Sequence, residues 1–280
     1  MKKTSYSVPV LMYHHVSPSP GAITCTPEHF EDQLRWLRRR GYVSLDTARF
    51  AGHLAGSPAP ERSVLITFDD GYLDNWVYAA PLLAQYGFSA VLFIVTGWLG
   101  QGAPRARLGD ARLPETPDHE RCKALIEAGR ADDVMLRWSE VRAMREAGVF
   151  EFHCHTHTHT RWDLGPQAFA KNAHMREELM QSRMTLEREL GGVSEHLCWP
   201  QGYFDEDYIR IARECGFRYL YTTQAFGQNR IGSDPAHIHR FAVRNTTGAS
   251  VGRRIRVAAH PVLGPIFNRW KRLRRRLRNR

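Results

Sequence analysis

The chain has 280 residues, of which 42% are hydrophobic and 24% are charged, as in soluble globular proteins large enough to bury a core. No apolar run approaches the roughly 20 residues of a membrane-spanning helix, and the longest covers only 88–95. The formal net charge is +10, but 253–280 contain eleven basic residues and no acidic one, so the rest is nearly neutral. This distribution argues against a nucleic-acid-binding body and favours an anionic partner for the tail.

The start of the chain differs from a secretory signal peptide, because 4–7 are polar and the apolar segment 8–13 is short and contains Pro9. The five cysteines are an odd number without CxxC spacing, which predicts reduced thiols. We therefore expect a cytoplasmic protein.

The hydrophobic pattern predicts strands that alternate with helices. The first strand covers 8–13, and Thr26 caps a helix that Pro27 begins. Later strands are predicted over 42–45, 63–68, 88–95, 149–152, 196–199, 217–222 and 238–243, with helices capped by Asp46 and Ser139 and helices over 75–85, 166–190 and 205–215. Residues 97–133, rich in Gly, Pro and Arg, form a long connection of the kind that is usually functional or mobile. This alternation predicts parallel β/α units.

Two adjacent carboxylates follow the predicted strand 63–68, in the segment Thr-Phe-Asp-Asp-Gly at 67–71. Asp69 and Asp70 point in different directions at a strand end, so one can bind a metal while the other takes a proton from a metal-bound water. Taken alone, Asp-Asp-Gly also suits an ordinary turn.

A histidine ladder occupies 151–160, with His153, His155, His157 and His159 at alternate positions. Histidine is a common ligand for zinc-like metals. Two histidines four residues apart can converge on one ion in a tight loop, whereas in a strand all four share one face. A surface tract that picks up metal adventitiously would show the same pattern, so the ladder alone selects no pair.

A third polar segment, Cys-Trp-Pro-Gln-Gly at 198–202, follows another predicted strand. A plain strand-to-helix turn would also explain it. Because all three segments follow predicted parallel strands, we expect them to face one pocket at the carboxyl ends of the sheet.

In combination, these segments resemble the polysaccharide deacetylases with a NodB-homology domain, over roughly 8–243. The TFDDG-like motif is at 67–71, the His-Ser/Thr-x-x-His motif at 155–159, and the third motif at 198–202. The opening at 8–16 looks like the first strand of the poly-N-acetylglucosamine deacetylase subgroup. The resemblance implies an α/β fold, a distorted (β/α) barrel of the NodB-homology type.

The resemblance also implies roles for particular residues. Asp70, His155 and His159 would hold a divalent metal, Zn²⁺ foremost, with Co²⁺, Ni²⁺ or Mn²⁺ as alternatives, and Asp69 would be the general base. Further residues are expected to contact substrate or support the site: His14, His15, Thr156, Trp199, Pro200 and Gly202.

Two features depart from the family pattern. Cys198 replaces the arginine that normally orients the base, so another group must orient Asp69, although the subgroup also tends to lack this arginine. The family's general-acid histidine has no clean match. We prefer His239, which enters the last predicted strand, while His260 and the His14–His15 pair are alternatives.

The activity implied is metal-dependent N-deacetylation of an N-acetylhexosamine in a glycan, with release of acetate. One alternative is an amidohydrolase of the same superfamily that acts on a small cyclic amide or imide. Another is a catalytically dead metal-binding protein, against which the intact Asp69–Asp70 pair argues. Nucleic acid is not an expected partner.

We expect a catalytic domain over 1–245 and a basic amphipathic tail over 246–280. The tail has an apolar stripe with spacings of 4, 3 and 4, formed by Ile266, Trp270, Leu273 and Leu277. Basic residues surround this stripe, as in helices that lie on an anionic membrane surface, although a disordered tail is the alternative. A lipid-linked or lipopolysaccharide-core sugar at the inner membrane face would suit such an enzyme.

Overall fold

The computed structural model describes residues 4–278, with side chains up to residue 274. Its strands are β1 (Val10–Tyr13), β2 (His15–Val16), β3 (Thr24–Cys25), β4 (Val43–Ser44), β5 (Ser63–Asp70), β6 (Ala90–Ile94), β7 (Phe150–Cys154), β8 (His196–Cys198), β9 (Tyr219–Tyr221) and β10 (Phe241–Ala242). Its α-helices are α1 (Pro27–Arg39), α2 (Thr47–Leu54), α3 (Ala80–Tyr86), α4 (His119–Glu127), α5 (Trp138–Glu146), α6 (Lys171–Leu190), α7 (Glu206–Glu214), α8 (Gly248–Ala259) and α9 (Leu263–Arg278). A π-helical turn, Asn75–Ala79, precedes α3.

The main sheet is parallel and has the order β10-β1-β5-β6-β7-β8-β9, with β4 paired to the start of β5. The segment 238–242 links β9, at one edge of the sheet, to β1 near the other edge. Ile238 pairs with Tyr221 of β9, and Phe241 pairs with Leu11 of β1. The sheet therefore curls into a distorted barrel, and the predicted fold class is confirmed.

Strand periodicity separates two apolar layers. In β5, Val64, Ile66 and Phe68 pack in the large cluster with the helices, whereas Leu65 joins a smaller cluster inside the curl. Because side chains alternate along a strand, Asp69 belongs to the same face as Leu65. The alternation thus directs Asp69 into the barrel.

The predicted starts of the first two helices are confirmed. The Thr26 hydroxyl accepts a hydrogen bond from the backbone N–H of His29, and the Asp46 carboxylate accepts one from Arg49. These caps satisfy N–H groups that have no partner within the helix.

Two local features differ from the predictions. Ser139 does not cap α5, which begins one residue earlier, at Trp138, with Arg137 as its N-cap. The segment 97–133, predicted as one long connection, also contains a helix that was not predicted, α4, whose N-cap Asp118 accepts from Arg121 N–H. The abundant Gly, Pro and Arg around α4 obscured its short apolar pattern.

The C-terminal residues form two helices that differ in their packing. Helix α8 lies against α1, where Gly248 N–H donates to Asp32 Oδ2 at 2.7 Å and Ile255 is fully buried. Gly252 lies so close to the Trp36 ring that a β-carbon there would be 2.2 Å from it. The division at 245/246 stays a prediction, although α8 packs with the residues before it. Among the described residues, no helix has the length and apolarity needed to cross a membrane.

Candidate metal centre and active site

The carboxyl ends of the strands surround a cavity of about 480 Å³. Residues of all three sequence motifs and of the segment after β1 line it: His14, Asp69, Asp70, His155, His159 and Trp199. The structure therefore brings together the segments that sequence reasoning expected to face one pocket.

Strained backbone is concentrated here. Among the described residues, those other than glycine with positive φ are Asp70 (74°), Thr156 (65°), His159 (61°) and Gln201 (53°). All four lie in or next to the three motifs. Such conformations cost about 1–3 kcal/mol each and cluster at functional sites. The positive φ at Asp70 interrupts the regular alternation of side chains along β5. The carboxylates of Asp69 and Asp70 therefore point in different directions.

Asp70, His155 and His159 form a compact group of metal-ligating atoms. Asp70 Oδ1 lies 3.2 Å from His155 Nε2 and 3.5 Å from His159 Nε2. His155 Nδ1 donates to the Cys198 carbonyl at 2.8 Å, so Nε2 is the ring nitrogen that faces the group. Asp70 Oδ1 is buried and has no hydrogen-bond donor among the described residues. A buried carboxylate oxygen needs a partner, so this donor set fits a divalent cation.

The protonation of His159 suits ligation. Burial lowers the pKa of His159 to about 4, despite the opposing charge of Asp70. At neutral pH the imidazole is therefore uncharged, as a metal ligand must be.

Arg240 binds Asp69 and holds its carboxylate in one orientation, which is the contact that the loss of an arginine at Cys198 left open. Its guanidinium donates in a bidentate fashion, Nη1 to Oδ1 and Nη2 to Oδ2, both at 2.7 Å. Nη2 is also 2.9 Å from Cys198 Sγ. Burial acts to raise the pKa of Asp69, but Arg240, together with His155 and His14, outweighs burial and lowers it, so Asp69 is ionised.

Sequence reasoning missed Arg240, although strand alternation offered a signal. Ile238 packs in the smaller cluster inside the barrel, and Phe241 packs in the large cluster with the helices. Because side chains alternate along a strand, the side chain of Arg240 points into the barrel, as that of Ile238 does. His239 then points outward, and this corrects its assignment as the general acid. Its Nδ1 lies 3.1 Å from the Gln224 carbonyl, and its ring lies outside the cavity.

The other candidate acids differ in position. His260 is exposed, and its Nδ1 accepts from the backbone N–H groups of Val262 and Leu263, outside the cavity. His14 lines the cavity, with Nε2 3.9 Å from Asp69 Oδ2. His15 is buried in the wall and binds Asp74. Of these four histidines, His14 is the one that lies beside Asp69 in the cavity.

The remaining predicted residues shape the loops. Thr156 Oγ1 accepts from His159 N–H at 3.2 Å and so helps to hold the turn between the two histidines. Trp199 lines the cavity, Pro200 is buried beside it, and Gly202 adopts φ 72° against Thr223. These residues support the site, and none of them belongs to the metal-ligating group.

Glu178 of α6 anchors the histidine loop and was not anticipated. Its Oε2 accepts from the backbone N–H groups of His157 and Thr158 at 2.8 and 2.7 Å, and Oε1 accepts from Trp162 Nε1. The side chain is almost fully buried, which is unusual for glutamate unless it is paired.

The two other histidines of the ladder lie outside the metal-ligating group. His157 Nδ1 contacts Thr96 Oγ1 at 3.0 Å. His153 is inside β7, with Nδ1 2.5 Å from Ser194 Oγ and Nε2 3.4 Å from Glu151 Oε2. Both have polar partners that explain their positions without a metal.

The polysaccharide deacetylase family model matches residues 56–220. The chain belongs to the polysaccharide deacetylase family. It is therefore a hydrolase of a family that acts on N-acetylated sugars, and the Asp70–His155–His159 group is the candidate site for the metal on which this family in general depends.

Three polysaccharide deacetylase-like proteins illustrate the range of similarity. The Bacillus subtilis (strain 168) protein YxkH, named as a polysaccharide deacetylase, is 25% identical over 80% of this chain and 67% of its own length. The poly-β-1,6-N-acetyl-D-glucosamine N-deacetylase of Escherichia coli (strain K12) is 35% identical over 28% of this chain, but the match spans only 12% of that protein. The structure of IcaB from Ammonifex degensii superposes with a TM-score of 0.70 at 22% identity, over 90% of this chain and 98% of that one, which supports the fold.

Proposed function

We propose that this polysaccharide deacetylase is a metal-dependent N-deacetylase that hydrolyses the acetamide of an N-acetylhexosamine in a glycan and releases acetate. The grouping of Asp70, His155 and His159 beside the Arg240-held Asp69 supports this proposal most directly. The name of the Escherichia coli relative supports a glycan substrate. Two histidines and a carboxylate favour zinc as the metal.

When bound, the divalent cation supplies Lewis-acid polarisation of the acetamide carbonyl and acidifies a bound water. Asp69 would accept a proton from the attacking water, and Arg240 holds its carboxylate in a fixed orientation. Burial lowers the pKa of His14, so its imidazole is neutral before the reaction. Its Nε2 is 3.9 Å from Asp69 Oδ2, so His14 is placed to receive the proton from Asp69 and donate it to the departing nitrogen. This donation is needed because an unprotonated amine anion is a very poor leaving group.

Acetate release from N-acetylglucosamine oligomers by the zinc-loaded chain tests the proposal. Asp69→Asn should abolish turnover while zinc stays bound, because Asn cannot accept the proton. Undiminished activity of this variant would remove Asp69 as the base. Turnover of cyclic imides without acetate release would favour the amidohydrolase alternative, and zinc binding without any turnover would favour the dead-site alternative.

We further propose that the substrate is a lipid-linked or lipopolysaccharide-core sugar and that the protein works at the cytoplasmic face of the inner membrane. Helix α9 supports this proposal. Its Asn268 is buried and donates to the Gly227 carbonyl at 3.3 Å, so one side of the helix lies on the body. Ile266, Trp270 and Leu273 are 61%, 46% and 56% exposed. Leu277, predicted to continue this stripe, lies outside the described side chains.

The basic residues of α9 favour an anionic lipid surface as the partner of this stripe. Lys271 and Arg274 lie over the Trp270 ring at 5.1 and 5.0 Å. In such an arrangement the cationic groups can reach lipid phosphates while the ring enters the interface. Each basic residue near an anionic surface contributes about 1 kcal/mol of attraction.

A further inference from the structure

Three side chains form a hydrogen-bonded row in the wall of the active-site cavity, which we call the Asp74–His15–His119 relay. Asp74 Oδ2 lies 2.6 Å from His15 Nδ1, and His15 Nε2 lies 3.2 Å from His119 Nδ1. Asp74 and His15 are buried, whereas His119, the first residue of α4, lines the cavity with Asp70. The proposed deacetylation steps use none of the three.

The hydrogen-bond geometry orients the Asp74 carboxylate towards His15. Asp74 Oδ1 accepts from Val16 N–H at 3.1 Å and from the Asn75 amide at 2.8 Å, so Oδ2 faces His15. A carboxylate only accepts, so His15 Nδ1 donates to it. When His15 carries a single ring proton, on Nδ1, its Nε2 is an acceptor and His119 Nδ1 donates to it.

His119 Nε2 is therefore left with a lone pair. It has no hydrogen-bond partner among the residues that the structure describes, and it lies on the ring edge away from the relay. Burial, together with His15, lowers the pKa of His119, so the imidazole is neutral and the lone pair is available. Tyr72 stacks on His15 at 3.9 Å between ring centroids and places its hydroxyl 3.3 Å from His119 Nδ1, which further restrains the pair.

We propose that Asp74 and His15 set the tautomer of His119, and that His119 Nε2 accepts a hydrogen bond from a hydroxyl group of the bound glycan. The second half rests on the proposed function. His119 is then a substrate-binding residue, and Asp74 and His15 are positioning residues that act through it.

The cavity face of α4 fits a saccharide. His119, Lys123, Ile126 and Glu127 are spaced as neighbours on one side of a helix, and all four line the cavity. This face offers hydrogen-bond donors and acceptors together with an apolar group, and the Trp98 ring lines the same cavity. Sugars present hydroxyls at their edges and C–H groups on their faces, so they match this combination better than a small cyclic imide does.

Asp74→Asn tests the tautomer directly. Oδ1 of the new amide would still accept from Val16, so its NH₂ would face His15 and donate to Nδ1. His15 would then donate from Nε2, and the proton of His119 would move from Nδ1 to Nε2. Two-bond ¹H–¹⁵N correlation spectra of the zinc-loaded chain should show the Nδ1–H form in the wild type and the Nε2–H form in the variant. An Nε2–H wild type, or an unchanged tautomer in the variant, overturns the proposal.

Kinetics on N-acetylglucosamine oligomers test the substrate contact. A neutral hydrogen bond contributes about 0.5–1.5 kcal/mol, so His119→Ala should raise KM roughly 2–10-fold with a smaller change in kcat. His119→Gln, whose amide oxygen can accept, should recover part of the loss. Asp74→Asn should add nothing to His119→Ala, because it acts only through His119. An unchanged KM for His119→Ala, or additive effects, contradicts the contact.

The Asp234–His237 pair provides matched controls. Asp234 Oδ2 lies 2.7 Å from His237 Nδ1 and its Oδ1 accepts from Ala236 N–H, as in the relay, but the pair lies outside the cavity. Asp234→Asn and His237→Ala should leave KM unchanged. If the wild type releases no acetate, the proposed function fails. In that case the ¹⁵N chemical shifts of His119 are measured with and without the oligomer. A change on adding the oligomer supports the contact with His119, and no change overturns it.

Discussion

At the scale of single residues, the active site depends on an ion pair that is not visible as a motif. Both members of the Asp69–Arg240 pair are almost fully buried. A charge removed from water is stable in this way only with close, well-oriented partners. The side chain of Cys198 is small and leaves space for this ion pair. Its sulfur lies next to the Arg240 guanidinium.

Removing Arg240 should therefore damage both stability and catalysis. Arg240→Met leaves Asp69 buried without its partner, which should cost about 3–5 kcal/mol in the free energy of unfolding. The pKa of Asp69 should rise once the guanidinium is absent, so acetate release at neutral pH should fall sharply. Urea denaturation and an acetate assay on the same variant measure the two effects.

The Arg176–Glu214 pair serves as the control for this substitution. Both side chains are more than 40% exposed, so Arg176→Met should cost less than about 1 kcal/mol and leave acetate release intact. If Arg240→Met were as mild as Arg176→Met, the buried pair could not have the orienting role assigned to it.

At the scale of elements, the histidine ladder changes its structure halfway. His153 lies within β7, whereas His155 follows the end of the strand and His159 lies in a loop with positive φ. An all-strand ladder would place every histidine on one face. The turn at Thr156 instead folds His159 back towards His155, so that their ring centroids are 5.0 Å apart.

This division predicts different metal affinities for three alanine variants. His155→Ala and His159→Ala each remove a nitrogen from the metal-ligating group. Because even residues that support ligands affect metal affinity 10–100-fold, these losses should exceed about 100-fold. His153→Ala is the matched control, since its ring contacts Ser194 and Glu151 instead. Competition with a chelator measures all three, and a loss at His153 equal to that at His155 would contradict the assignment.

The sequence predicted the elements with strong periodicity better than the contacts between distant segments. The apolar face of α1 and the motif strands were readable because local spacing determines them. The pairing of Arg240 with Asp69 depends on how segment 238–242 fits between β9 and β1. The relay likewise depends on α4, which a loop-like composition concealed. Such long-range placements leave little trace in local patterns.

At the scale of the whole molecule, the two helices of the tail differ in how far they pack against the body. Helix α8 covers α1, and Val251 and Ile255 complete the core on that side. Helix α9 continues from it but turns its apolar stripe outward. A protein seldom leaves a contiguous apolar surface uncovered unless a partner or membrane binds it.

Vesicle flotation tests whether an anionic membrane is that partner. The full chain should float with vesicles that contain anionic phospholipid, weakly with neutral vesicles, and less at high salt, because salt screens the attraction. Burial of large apolar side chains contributes about 1.5–3 kcal/mol each, so replacing Ile266, Trp270 and Leu273 with Ser should abolish flotation. Replacing the exposed Met180 and Met184 of α6 with Ser removes apolar surface elsewhere and should leave flotation unchanged. Membrane association that survived both the triple substitution and deletion of 260–280 would show that α9 is not the membrane-binding element.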